Sequence, residues 1–137
     1  MTFTPAARKT ISDFLRDTKT SPDDYDLILT GDLGFVGSEL LKGLLEREDG
    51  ITLGENYNDC GMMIFDREKQ DVHAGGSGCG CSGSVLCSYI LRQMRDGKYS
   101  NILFIATGAL MSPVSSREGE SIPGIAHLIN IKRGVKQ

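Results

Sequence analysis

A glycine-rich run that carries two cysteines is the segment of this sequence best suited to chemistry. It extends from Ala74 to Ser84 and includes Cys79 and Cys81. The run follows a strand-like segment and opens an amphipathic helix, so its backbone N–H groups face outward at a helix N-terminus. Such a turn suits a carboxylate, a phosphate or a developing oxyanion. A purely structural interpretation also stands, in which the glycines only permit positive φ and close helix–strand packing.

The cysteines of the chain do not form a metal or redox motif. A structural zinc site needs four ligands, and Cys60 and Cys87 do not complete such a pattern with Cys79 and Cys81. The C-x-C spacing also differs from the C-x-x-C of redox pairs. We therefore expect no metal, no cofactor and buried thiols beside a cleft. A nucleophilic cysteine needs a base, and the nearest candidate in sequence, His73, either takes that role or simply ends a strand.

Polar residues also follow two predicted strands. Asp32 comes after the apolar run 25–30, and the turn Thr107-Gly108-Ala109 ends the apolar run 102–107. Ligands of open α/β sheets gather outside the carboxyl ends of the strands, so these turns are expected to line one pocket with the glycine-rich run. Asp32 either contacts the ligand there or only caps its turn. The predicted ligand-binding residues are Asp32, Gly75, Gly76, Ser77, Gly78, Cys79, Thr107 and Gly108.

Alternating helical and strand patterns must position these residues. They predict an α/β fold with a mixed, mostly parallel sheet and helices on both faces. Ser82 or Ser84 is expected to cap the third helix, and a polar loop is expected from Gly108 to Pro123. Helices are predicted at 5–18, 38–48 and 82–96, the last burying Val85, Leu86, Tyr89, Ile90 and Met94; strands are predicted at 25–30, 61–65, 102–107 and 124–131, with a weaker one at 51–53.

Composition excludes several classes of function. The 137 residues fit a single domain. A net charge of −3 without a basic run gives no electrostatic footprint for nucleic acid. No apolar stretch approaches the roughly 18 residues of a membrane-spanning helix. The segment Met1–Pro5 lacks the features of a signal peptide, so the cysteines are expected to be reduced thiols.

Six segments, taken in order, carry a resemblance to a known family. They are similar to the C-terminal half of the stage V sporulation protein AD family, which belongs to the thiolase-fold superfamily. The segments are Pro5–Ala7, Pro22–Leu33, Asn58–Gly61, Ala74–Ser82, Ala106–Leu110 and Glu120–His127.

The resemblance implies that residues 1–137 form one thiolase-like half. A complete member looks like two similar α/β halves, and the N-terminal half is absent here. The thiolase nucleophile belongs to that absent half, so no residue of this chain inherits a catalytic role. An apolar face left uncovered by the missing half would associate, so dimers or larger species are expected.

The resemblance also implies a function. Members of the family look like peripheral proteins on the cytoplasmic side of the spore inner membrane. They bind dipicolinic acid and support its uptake into the developing spore with membrane proteins of the same operon. The alternative is half of a thiolase-like acyltransferase or condensing enzyme that acts on a coenzyme A thioester. Related condensing enzymes carry a catalytic histidine near the loop Thr30–Gly34; its absence here disfavours condensation.

Overall fold

A four-stranded mixed sheet forms the centre of the computed structural model, which describes residues 3–64, 68–71, 80–109 and 124–134. Its strands lie in the order β2-β1-β3-β4. β1 pairs in parallel with both β2 and β3, and β4 runs antiparallel to β3. The predicted α/β fold with a mixed, mostly parallel sheet is therefore confirmed. The strands are β1 (Leu27–Thr30), β2 (Tyr57–Asp59), β3 (Asn101–Ala109) and β4 (Gly124–Lys132).

Helices cover both faces of the sheet. Alternate residues of a strand point to opposite faces, so Ile28 joins one apolar cluster while Leu27 and Leu29 join the other. The first cluster is closed by α1 and α2, and the second by the helices that follow β2. The helices are α1 (Phe3–Thr18), α2 (Gly34–Leu44), α3 (Cys60–Met63), α4 (Cys81–Val85) and α5 (Leu91–Arg95). None of the helices in the described ranges is both long and apolar enough to cross a bilayer.

Helix α1 confirms the prediction of a helix at 5–18. Ala7, Ile11 and Leu15 recur every four residues, and all three are buried. The polar side of the helix also makes tertiary contacts. Arg8 Nη1 lies 2.9 Å from Asp49 Oδ2 and 3.0 Å from Glu48 Oε2. These ion pairs join the middle of α1 to the end of the helical segment that contains α2.

Single π-helical turns interrupt two helical segments. One, Leu45–Asp49, prolongs α2, and the other, Leu86–Ile90, joins α4 to α5. A π turn absorbs an extra residue, so Val85 and Ile90, five positions apart, both face the core. Tyr89 is consequently 41% exposed, and its predicted burial was wrong.

The second strand lies earlier in the chain than predicted. The apolar run 61–65 was predicted to be a strand, but residues 61–63 are helical in α3. The cause is Asp59, whose side chain accepts a hydrogen bond from Gly61 N and caps the helix. The strand is instead the polar triplet Tyr57–Asp59, and residues 51–53 form no strand.

Candidate functional site

Three segments meet where the parallel strands end. β1 ends at Thr30, and Gly31 N then donates to Ile105 O of β3 over 2.9 Å. A Cβ atom placed on Gly31 would lie 3.2 Å from both N and Oγ1 of Thr107 and 3.4 Å from Ser82 Cβ. The carboxyl ends of β1 and β3 and the first turn of α4 are therefore in direct contact. We call this region the carboxyl edge.

The predicted site residues fall into three groups. Asp32 lies at the carboxyl edge, half-buried, directly after β1. Thr107 and Gly108 also lie there, but the predicted turn at Thr107-Gly108-Ala109 was wrong. These residues continue β3, because pairing with β4 extends as far as Ala109 opposite Gly124. Gly75, Gly76, Ser77, Gly78 and Cys79 lie outside the described residues, and their role in ligand binding stays a prediction.

The carboxylate of Asp59 organises the carboxyl edge. Its Oδ1 accepts hydrogen bonds from Thr30 Oγ1 at 2.5 Å and from Leu33 N at 2.9 Å. Its Oδ2 accepts from Gly34 N and from Gly61 N, both at 3.0 Å. One side chain therefore satisfies backbone donors at the N-termini of both α2 and α3. Burial raises the pKa of Asp59, while the hydrogen bonds from Thr30, Leu33 and Gly34 act in the opposite direction.

Two further hydroxyls extend this network into the core. The Tyr57 hydroxyl lies 2.8 Å from Thr30 Oγ1 and 3.1 Å from Ser38 Oγ. Burial raises the pKa of Tyr57 to about 12, so the phenol stays neutral. Asp59, Thr30, Tyr57 and Ser38 thus form a continuous buried polar chain between β1, β2 and α2. Sequence reasoning missed it, although an aspartate directly before a helix is an N-cap signal.

The N-terminus of α4 differs from those of α2 and α3. Its N-cap residue is Gly80, which has no side chain with which to cap the helix. Ser82 and Ser84 were predicted as caps, but Ser82 lies inside α4 and Ser84 N already donates to Gly80 O at 3.1 Å. Asp59 thus caps α2 and α3, whereas the N-cap residue of α4 supplies no side chain of its own.

Two cysteines lie beneath the carboxyl edge. Cys60 and Cys81 are both buried. Burial, with further contributions from Asp59, Cys81 and Asp32, raises the pKa of Cys60 to about 12. The thiol is therefore protonated and a poor nucleophile. Within the described ranges, no three His, Cys, Asp or Glu side chains are grouped so as to hold a metal ion.

The rate of alkylation should distinguish the buried thiol of Cys60 from the exposed thiol of Cys87. We expect iodoacetamide at pH 8 to modify the exposed Cys87 at least about a hundred times faster than Cys60 in the folded protein. Peptide mapping by mass spectrometry would measure both rates. In urea the two rates should become similar, which provides the control. Equal rates in the folded protein would contradict the buried, protonated state of Cys60.

A cleft of about 630 Å³ lies at the other end of the sheet. It is lined by segments that precede β1 and β2, including Pro22 and Thr52. The three predicted ligand-binding residues that the structure describes, Asp32, Thr107 and Gly108, do not line it. These three residues therefore lie at the carboxyl edge and not in this cleft.

The architecture defines an α/β protein whose polar residues gather at the carboxyl ends of parallel strands, where such folds hold ligands. The family model of stage V sporulation protein AD matches residues 1–132. Stage V sporulation protein AD of Bacillus subtilis (strain 168) is 47% identical over 129 residues, which are 94% of this chain and 38% of that relative. This chain belongs to the stage V sporulation protein AD family. It spans well under half the length of the curated relative that it matches.

Proposed function

We propose that this chain serves in sporulation by binding dipicolinate at the carboxyl edge. Family membership supports the biological setting. The contact of Gly31 with Thr107 and Ser82 carries the structural part of the argument. In this proposal the protein is not an enzyme. It works on the cytoplasmic side of the spore inner membrane, as a peripheral partner of membrane proteins that take dipicolinate into the spore.

The N-terminus of α4 suits one carboxylate of the ligand. The first N–H groups of a helix attract an anion, and α4, its π turn and α5 together continue the helical segment to Arg95. The glycine-rich run leads into this turn and would add backbone donors. The hydroxyl of Thr107 lies on the adjacent strand. A second carboxylate needs further donors, so the chain alone is expected to bind dipicolinate weakly.

The carboxylate of Asp32 would repel dianionic dipicolinate at the carboxyl edge. Its negative charge lies near Asp59 and contributes to the raised pKa of that residue. A ligand carboxylate about 6 Å from Asp32 would be repelled by roughly 1.4 kcal/mol at an effective dielectric constant of about 40, which is about tenfold in affinity. We therefore assign Asp32 to the wall of the site, where it limits affinity for dianions and favours donors on the opposite side.

Calorimetric titration of dipicolinate tests the proposal in the full-length form of the protein. Gly76→Val and Gly78→Val should weaken binding at least about tenfold, because a side chain blocks approach to the backbone. Asp32→Asn should strengthen it about tenfold, because a like charge is removed. Gly43→Ala, on an exposed part of α2, is the matched control and should leave affinity unchanged.

Unchanged affinity in both valine variants would place the site elsewhere and leave the glycines a structural role. The acyltransferase alternative requires a nucleophile, and Cys60 is protonated and buried. A thioester hydrolysis assay on the same preparation should give no turnover above buffer. Turnover would overturn the non-enzymatic proposal.

A further inference from the structure

Helix α2 carries a second, exposed apolar stripe beside the one that faces the core. Leu41 and Leu45 point into the core and are fully buried. Val36 and Leu40, four residues apart, are 51% and 48% exposed, and Leu44 continues their line half-buried. A surface helix normally has one apolar stripe, and a helix that is apolar on two sides is normally covered on both.

This outer stripe borders a groove of about 340 Å³ between α2 and the start of α1. Gly43 lies near its middle, and a Cβ atom added there would meet nothing within 4 Å. A second helix can therefore approach the backbone closely at Gly43. The groove is lined by Thr4, Pro5, Glu39, Leu40, Gly43, Leu44 and Arg47.

The two charged residues that flank the groove have opposite signs and can pair between two copies of α2. Glu39 precedes Gly43 by four residues, and Arg47 follows it by four. In an antiparallel pair of α2 helices that cross at Gly43, Glu39 of each copy faces Arg47 of the other, twice over. Glu39 has an exposed bond with Lys42 at 3.0 Å, and such surface pairs contribute little, so a change of partner costs little.

We propose that two copies of this chain associate through these α2 surfaces in an antiparallel, two-fold symmetric contact. The apolar stripe supplies the buried area, and Gly43 allows the two helices to approach closely. The two Glu39–Arg47 pairs set the antiparallel direction of the helices. The contact is independent of ligand binding, because it uses the outer side of α2 and not the carboxyl edge.

Charge reversal tests this contact by sedimentation equilibrium of the full chain. The wild type should dimerise. Glu39→Arg and Arg47→Glu should each weaken the dimer about tenfold, because each places like charges opposite one another at both symmetric positions. The double variant E39R/R47E should return to within about threefold of wild type. Leu40→Glu should give a monomer.

The matched control is Leu91→Glu, which alters a comparably exposed leucine, 42% exposed, on a different helix. It should leave the dimer intact. Circular dichroism of each variant verifies folding; the altered side chains are exposed or half-buried. A wild type that stays monomeric at about 100 μM, a dimer that only Leu91→Glu dissociates, or a double variant as weak as the single ones would each overturn the proposal.

Discussion

Asp59→Ala should lower the free energy of unfolding by about 3–5 kcal/mol. The substitution removes the acceptor of hydrogen bonds from Thr30, Leu33, Gly34 and Gly61. All four donors lie in the buried carboxyl edge, where water cannot fully replace the carboxylate. Urea denaturation followed by circular dichroism measures the loss.

Two companion variants locate the cause. Asp59→Asn keeps the shape of the side chain but accepts through one oxygen only, so we expect a loss of about 1–3 kcal/mol. Asp17→Ala removes an aspartate that is 70% exposed and should change stability by less than about 0.5 kcal/mol. A loss as small for Asp59→Ala as for Asp17→Ala would contradict the role assigned to Asp59.

The pH dependence provides a separate check on Asp59. Burial raises its pKa above 3.8, so the folded protein holds this proton more tightly than the unfolded chain does. Its contribution to stability is therefore complete below pH 3.8 and declines as pH rises through the raised pKa. The advantage of wild type over Asp59→Asn in free energy of unfolding should therefore decrease as the pH rises. An advantage that widens would show that hydrogen bonding outweighs burial.

Gly31→Val should destabilise the protein by about 2–3 kcal/mol. The added Cβ would lie 3.2 Å from the backbone N of Thr107, whose position is fixed by its pairing with Ala126 of β4. The branched side chain would also press against Ser82. Thermal unfolding and urea denaturation would both report the loss.

Gly83→Ala is the control for Gly31→Val. It lies in α4 with nothing within 4 Å of an added Cβ, so alanine should fit and stabilise the helix by up to about 1 kcal/mol. If Gly31→Val were as well tolerated, the close contact between β1, β3 and α4 would be wrong.

Long apolar patterns made most of the fold predictable. β1, β3 and α1 each have an apolar pattern that matches their burial, whereas Ile129 of β4 is 51% exposed. β2 was missed because Tyr57-Asn58-Asp59 is a polar triplet. Its residues are held in the sheet by parallel pairing with β1 and by the Asp59 hydrogen bonds, neither of which is visible in a local window.

The candidate site was predictable only in part. The position of Asp32 after β1 followed from the strand pattern, and Thr107 and Ser82 do approach the same edge. The extension of β3 through Gly108 depends on β4, a partner distant in sequence. The exposure of Tyr89 depends on a π turn, which a search for 3.6-residue periodicity cannot detect.

The pairing of α1 with β4 has a consequence for the order in which the chain can fold. Thr10 Oγ1 of α1 donates to Ala126 O of β4 over 2.8 Å, across 116 residues. Helix α1 is therefore synthesised well before β4, the strand against which it packs. Contacts so distant in sequence form slowly and late. The part of α1 that packs against β4 stays exposed on the growing chain until β4 has been synthesised. This segment is therefore suited to binding by a chaperone.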